Sequence, residues 1–427
     1  MATEEYETIS IDRLCVGLYV RLDLSWLDHP FPTNTFKIRD SKQLATLRRL
    51  GLKEIRYIPA KSDCPPQAPG MPPAATPPAD PQEDAQQQAL QEAKKARIAR
   101  LERQRAAVIE CEKRLLEAAS VVKEVNHNIY SSPKESIAAA EALIGQMADS
   151  MLQNKDVAIH ALNDKVAGEE VYFHSLNVSV LSMILAKESG KPREFIEQIG
   201  MFGLLHDIGK LEIPDRIIKK IEPLNQAELH FLQEHSAYGE QIARKAGLPE
   251  EICIAIRQHH EHMDGSGYPD GLSGERIREL ARMLAIPNIY DNHCNHINPL
   301  TSLTPFEALS QMFSKQRPHF DPVPLNQFIR CMGVYPPGTI VRLSNETVGL
   351  VVSVNTSKAL KPSIMIYDAE IPKDEAIILD LADEPDINIS KSIPPAQLSR
   401  EIYDYLSPRK RVTYYFDDAA KTAKPNS

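Results

Sequence analysis

Eight prolines between Pro65 and Pro81 impose the first division on this chain. Proline locks φ and carries no backbone donor, so the tract is excluded from helix and sheet interiors and is expected to stay extended. Folding must therefore proceed separately on either side of it. Ahead of the tract, LCVGLYVRLDLSWL has the β-branched and aromatic content of a strand pair. SKQLATLRRLGL sets Leu44, Leu47 and Leu50 on one helix face before Gly51, and IRYI reads as a short strand. These features predict a small α/β module over residues 1–63, without catalytic spacing, and a Pro-rich flexible linker over 64–83.

Residues 84–129 are charged and glycine-free and predict one long helix. Leu101, Val108, Leu115 and Val122 recur every seventh position, with Gln104, Cys111, Ala118 and Val125 on the alternate seam. Such a stripe can pair with a second copy, giving a homodimer through residues 84–125, or dock on its own domain. Residues 130–332 are patterned as helices. From 333 to 408 the texture turns to strands, as in YPPGTIVRLSNETVGLVVSV and PSIMIYD, and residues 409–427 read as a frayed polar tail.

Charge and composition narrow the function. With 49 Lys+Arg against 58 Asp+Glu the net charge is −9, which disfavours general nucleic-acid binding. No apolar run approaches the roughly 20 residues of a membrane span, and MATEEYETIS lacks the layout of a secretion signal. Six cysteines occur without any C-x-x-C pairing, so reduced thiols and a cytoplasmic address are expected.

Histidine placement carries the chemistry. Eight of the 13 histidines lie between His206 and His296. His206 and Asp207 are adjacent and Lys210 follows; His235 stands in EHSAYG; His259 and His260 are adjacent in RQHHEHMDGSGYPDG; Glu170 and His174 are spaced i, i+4 on one helix face. Imidazoles with carboxylates suit iron, manganese or zinc, and an N/O-rich set of this size suits two or more ions. Paired ions can bind a phosphate, activate water and stabilise a leaving oxygen, and Lys210 would add positive charge beside the phosphoryl group.

HDIGK, followed by a His259-His260 pair leading into DGSGYP, closely resembles the HD-GYP subgroup of HD-domain phosphohydrolases over roughly residues 165–332. The first module, with VGLYV and SWLDHPF, is similar to a small domain of unknown function often found ahead of such domains. The resemblance implies a mainly α protein: an all-helical HD-type domain over 130–332, preceded by the small α/β module, linker and long helix, and followed by a β-rich C-terminal extension. It implies a bacterial phosphodiesterase for cyclic di-GMP with two or three divalent ions, commonly iron or manganese. By position, His174, His206, Asp207, His235, His259 and His260 match metal ligands, and Glu170 matches the acid that holds a third ion in some members. Asp207 and Lys210 carry catalysis; Lys210, Tyr268 and Gly267 match substrate contacts. Gly265 and Pro269 shape the loop, as does Asp264. His262 matches no ligand and reads as solvated, and His319 as structural or exposed.

Two departures stand out. The family's last ligand is an aspartate, and aligning Tyr290-Asp291 with its string places Asn288 there, behind Pro287. An amide is a poorer ligand than a carboxylate, and a helical proline removes a hydrogen bond and favours a kink. Asp291, His293 and His296 are the alternative ligands on that segment. Where relatives carry a basic pair for substrate phosphates, this chain has NHINPLTSL, leaving Lys210 and Arg282 as the nearby cations. Three readings follow: an active cyclic di-GMP phosphodiesterase, a degenerate metal- and nucleotide-binding receptor, or a phosphohydrolase for another nucleotide.

Overall fold

The computed structural model describes residues 6–24, 29, 31, 35–68, 99, 102, 106, 109–153, 157–162, 170–296, 298, 301–369, 371, 373, 376–384, 387–406 and 413–418. They form two compact units, residues 1–102 and 103–427.

In the first unit, β1 (Glu7–Ser10), β2 (Tyr19–Arg21), β3 (Thr35–Lys37) and β4 (Glu54–Tyr57) make an antiparallel sheet in the order β1-β4-β2-β3. Helix α1 (Ser41–Arg49) starts on Asp40, whose side chain accepts from the Gln43 amide, and buries Leu47. Leu14, Leu18, Val20, Ile38 and Ile55 complete the core. The module runs past the expected boundary at residue 63. Gln67 and Arg13 are joined by the Gln67 amide to the Arg13 carbonyl and by Arg13 Nε to the Gln67 carbonyl. Cys15 and Cys64, distant in sequence, also meet here with their sulfurs 3.3 Å apart.

The second unit begins with a helix over 109–128, α2, and continues with α3 (Pro133–Gln153), β5 (Val157–Leu162), α4 (Glu170–Glu188) and α5 (Arg193–Leu205). After a 3-10 turn at Ile208–Glu212 come α6 (Asp215–Ile218), α7 (Gln226–Gln233), α8 (His235–Ala246), α9 (Glu250–Gln258), α10 (Glu279–Cys294), α11 (Pro305–Ser314) and α12 (Pro322–Met332). The chain then forms β6 (Ile340–Leu343), β7 (Val348–Asn355), β8 (Ser363–Ile366), β9 (Ile378–Asp380), β10 (Ile389–Ser392), α13 (Arg400–Leu406) and β11 (Thr413–Asp418). The protein is mainly α, as the resemblance implies.

Helix α4 is the central element. Leu176, Val178, Val180, Leu181, Met183, Ile184 and Leu185 are all buried, so no face of the helix is left for solvent along that stretch. It meets α5 through small residues. A Cβ on Gly203 would lie 2.6 Å from the Ser179 Cα, and the Ser179 hydroxyl donates to the Gly200 carbonyl at 2.8 Å. This close crossing carries His174, near the start of α4, to His206, just past the end of α5.

Two expectations are corrected and one open alternative is decided. The helical region is not all-helical: β5 lies within it, pairs with β7 and β11, and so joins the C-terminal strands to the helices in one sheet. The tail is not frayed throughout. Thr413–Asp418 pairs residue for residue with β5, and Tyr414, Tyr415 and Phe416 are buried. Polar flanks hid an aromatic-rich strand, TYYFDD, whose Tyr414, Tyr415 and Phe416 join the helical core. Finally, Cys111, Leu115, Ala118, Val122 and Val125 are buried in this unit's own core, so from Cys111 onward the stripe is taken up internally and is not free for a homodimer. Leu101, Gln104 and Val108 lie outside the described residues.

The Tyr414 hydroxyl bonds that of Tyr290 at 2.9 Å, and its amide donates to Asn177 Oδ1 at 2.8 Å. Tyr414→Ala is expected to lower the unfolding free energy by about 3 kcal/mol or more, as for other buried aromatics. Urea denaturation of metal-free protein measures this, and an unchanged midpoint would mean that the strand does not belong to the core.

Candidate metal centre

Four helix ends converge on one carboxylate. His206 caps the end of α5, Asp207 follows it, His235 opens α8, and His259 caps α9. His174 comes from α4. The Nδ1 atoms of His206, His235 and His259 each bond a carbonyl three residues earlier: Gly203 at 2.8 Å, Leu232 at 2.6 Å and Ile256 at 2.6 Å. A carbonyl only accepts, so Nδ1 must carry the proton in these rings, and in the neutral form Nε2 is the free lone pair. His174 Nδ1 bonds Asp291 Oδ2 at 2.7 Å instead.

All four Nε2 atoms then face Asp207. Its Oδ2 lies 3.5 Å from His174 and 3.4 Å from His206; its Oδ1 lies 3.4 Å from His235 and 3.6 Å from His259. These separations are long for hydrogen bonds. They suit a shared cation, since two ligands about 2.1 Å from one ion and about 110° apart lie about 3.4 Å from each other. His174 Nε2, His206 Nε2 and Asp207 Oδ1 are buried without a hydrogen-bond partner, which is costly unless something else satisfies them. Two groups of candidate ligands, His174-His206-Asp207 and Asp207-His235-His259-His260, share Asp207. The donor set fits divalent ions.

Electrostatics point the same way. Burial pushes His206, His259 and His260 below the ordinary imidazole range, keeping them neutral. Burial acts to lower His174 as well, but Asp207 and Asp291 outweigh it and draw its pKa up to about 9. Burial acts to raise Asp207, but Lys210, 2.5 Å away, and the imidazoles hold it well below the usual carboxylate range.

The GYP loop closes one side of this cluster. The Tyr268 ring stacks on His260, with centroids 4.6 Å apart, and burial pushes its phenol up so that it remains a donor. Gly265 has φ +80°, which favours glycine. At Gly267 the reason is space: a Cβ would strike the His260 carbonyl and the Glu261 backbone. The buried Glu261 carboxylate accepts from the Asp270 amide at 2.7 Å and the Leu272 amide at 2.8 Å, pinning the loop. Gly209 is equally constrained, packed against His235 and Gly239 where the 3-10 turn meets α8. Neither Glu261 nor Gly239 was singled out from sequence, although Glu261 directly follows the histidine pair.

Other assignments change. Glu170 starts α4, but its side chain lies outside the described residues. Asn288 is buried, and its Oδ1 accepts from Asn292 Nδ2 at 2.9 Å; helix α10 continues through Pro287. Asp291 does not supply a substitute ligand. Both its oxygens are engaged, Oδ2 by His174 and Oδ1 by Asn177 and Asn295, so it orients His174 from outside. His293 bonds Gln316 and His296 bonds Thr301, away from the cluster. Arg282 faces Asp321 at 3.6 Å and is mostly buried, so it is not a free phosphate contact. His262 is half-buried, its ring stacked on His319 with centroids 4.3 Å apart.

Residues 146–323 match the HD domain family, 6–140 a domain of unknown function, and 340–401 the KOW domain associated with HD domain. The chain thus carries an HD domain. Together the matches support an HD-GYP-type protein, with the module of unknown function ahead of the HD domain. It is 29% identical over 373 residues to a cyclic di-GMP phosphodiesterase of Pseudomonas aeruginosa, covering 84% of each chain. A 3'3'-cGAMP-specific phosphodiesterase of Vibrio cholerae is 38% identical over 117 residues, 27% of each chain. Among solved structures, an HDG"Y"P protein from Bdellovibrio bacteriovorus aligns over 76% of this chain and 98% of its own, at 16% identity and a TM-score of 0.39.

In metal-free protein, the Asp207 and Asp291 carboxylates raise the pKa of His174 from its ordinary 6.5 to about 9. Its charged form therefore stabilises the fold fully below about pH 6.5, and this contribution is lost as pH rises through about 9. Asp291→Asn is expected to lower the His174 pKa, read by imidazole NMR, and to flatten stability over that window. An unchanged titration would show that Asp291 does not set it.

Proposed function

We propose that this chain is a metal-dependent phosphodiesterase that hydrolyses cyclic di-GMP to the linear dinucleotide or GMP in bacterial second-messenger signalling. The observation that carries the reading is Asp207, whose two oxygens address two separate histidine sets with hydrogen-bond-orphaned atoms between them. The Pseudomonas relative, similar over most of its length, supports this substrate over others. The same reading assigns the chain to the cytoplasm; no described helix is long and apolar enough to cross a membrane.

In this proposal His174 and His206 would hold one ion and His235, His259 and His260 a second, with Asp207 offering a carboxylate oxygen to each set. Iron or manganese is the proposed occupant, with Glu170 available to a third ion and Asn288 at the weakened last position. Bound ions supply water activation and neutralise charge on the phosphate. The chain's own residues do the rest. Hydrogen bonds from Nδ1 to backbone carbonyls hold His206, His235 and His259 in the ligating tautomer, so these rings need little reorganisation on metal uptake. Lys210, about a third exposed beside Asp207, meets a phosphate oxygen. Tyr268, braced on His260 by the Gly267 turn, offers a ring face and a phenol to the guanine side. The oxygen of water bonds to phosphorus as the bond to one ribose oxygen breaks, and the displaced oxygen takes up the water proton, leaving a ribose hydroxyl and a terminal phosphate.

Asn288 and the missing basic pair favour a receptor with little turnover as the competing reading; one lost charge-assisted contact is worth about 1.5–3 kcal/mol. Cyclic di-GMP and 3'3'-cGAMP should be followed over time with Mn(II) or Fe(II), beside His206→Ala. The expected result is hydrolysis of cyclic di-GMP that falls by about 10³-fold or more in the variant. Nucleotide binding without turnover would establish the receptor, and preference for the other dinucleotide would reassign the substrate. Asn288→Asp is expected to raise turnover and metal retention, measured by the same assay and by elemental analysis.

A further inference from the structure

Two of the six cysteines face each other in the first unit. Cys15 lies just past the turn at Ile11–Arg13, and Cys64 stands immediately before Pro65, where the proline tract begins. Their sulfurs are 3.3 Å apart, and both residues are half-buried, whereas Cys111, Cys253, Cys294 and Cys331 are buried. Backbone brackets the pair on both sides. The Gln67 amide donates to the Arg13 carbonyl at 2.9 Å, and the Asp63 amide to the Gly17 carbonyl at 2.9 Å. Each thiol also reaches a carbonyl of the opposite segment, Cys64 that of Val16 at 3.2 Å and Cys15 that of Pro65 at 3.5 Å. Gly17 has φ +101°, and a Cβ there would lie 3.2 Å from the Cys64 sulfur, so the glycine leaves the thiol its space. An S–S bond is about 2.05 Å long, so joining the sulfurs asks them to approach by about 1.2 Å, between segments already pinned at both ends.

We propose that Cys15 and Cys64 form a reversible redox site that takes a low-molecular-weight disulfide as oxidant and closes into an intramolecular disulfide. Burial and the neighbouring Cys64 thiol push Cys15 up to about 11, so the first attack falls to Cys64. The Cys64 thiolate bonds to one sulfur of the small disulfide, whose S–S bond breaks, and the thiolate released takes up the Cys64 proton. The Cys15 sulfur then bonds to that of Cys64, the mixed disulfide breaks, and a second small thiol leaves with the Cys15 proton. Two cysteine sulfurs are oxidised and one small disulfide is reduced to two thiols. Transient disulfides of this kind are compatible with a compartment that keeps resting thiols reduced. The bond clamps Cys64, at the mouth of the proline tract, onto the module, so the point where the linker departs is fixed covalently. The site does not depend on the phosphodiesterase reading, because the pair belongs to the first unit and the Asp207 cluster to the second.

The test counts thiols rather than turnover. The full chain is equilibrated with mixtures of oxidised and reduced glutathione, quenched with acid, alkylated and digested for mass spectrometry. The expected result is the loss of two of the six alkylatable thiols, with the Cys15 peptide joined to the Cys64 peptide, and full recovery in dithiothreitol. Because the fold holds the sulfurs together, the joined peptide should reach its half-point at a value of [GSSG]/[GSH]² about tenfold lower, or more, in the folded chain than in urea. Cys15→Ser should stop at one glutathione bound through Cys64, and the Cys15→Ser/Cys64→Ser double variant should keep its four buried thiols; circular dichroism verifies that both fold. Six free thiols in the folded chain under the most oxidising mixture would overturn the proposal. A glutathione adduct that persists without ring closure, a bond between two chains, or an equal half-point in urea would overturn it as well.

Discussion

A carboxylate buried among imidazoles is the constraint around which the second unit is organised. Asp207 lies away from solvent, where an unpaired charge is prohibitively costly, and its compensation comes from Lys210 and from rings on four different helices. Each of those helices has to end, or begin, at the cluster. That requirement explains the interrupted architecture: α5 stops at Leu205, a 3-10 turn carries Lys210, α8 starts on His235, and α9 gives way at His259.

Helix packing supplies the accuracy. Ser179, Gly200 and Gly203 allow α4 and α5 to approach closely, and Gly209 with Gly239 does the same where the turn meets α8. A methyl group on Gly203 or Gly209 would strike backbone, not a flexible side-chain tip, and the imidazoles would move with it. Around the rings, the carbonyls of Gly203, Leu232 and Ile256 and the carboxylate of Asp291 choose the tautomer. The site is therefore preorganised mostly by backbone, with one buried acid doing for His174 what helix ends do for the others.

Much of the candidate site was legible because its residue types are rare in combination and adjacent in sequence. His206-Asp207, His259-His260 and the GYP string declare themselves, and the structure gathers them. Sequence left the alternatives on α10 open for a physical reason. Asp291, His293 and His296 are chemically capable ligands, and sequence spacing does not reveal which are consumed by Asn177, Gln316 or Thr301. The tail failed similarly: TYYFDD sits between polar stretches, and only its pairing with β5 makes it a strand. The stripe on α2 was real, but a hydrophobic stripe specifies burial without naming the partner.

What the amino-acid sequence alone supplied is an expected division at the proline tract, the predominance of helix, and the identity of the candidate ligands. These follow from local chemistry: a missing donor, a 3.6-residue period, an imidazole beside a carboxylate. Tertiary structure decided which atom of each histidine faces the cluster, that Asp207 addresses two sets at once, that Asp291 orients rather than ligates, and that His262 and His319 meet. Those facts depend on where distant helices end relative to one another, a property of close packing across the core that no spacing along the chain records.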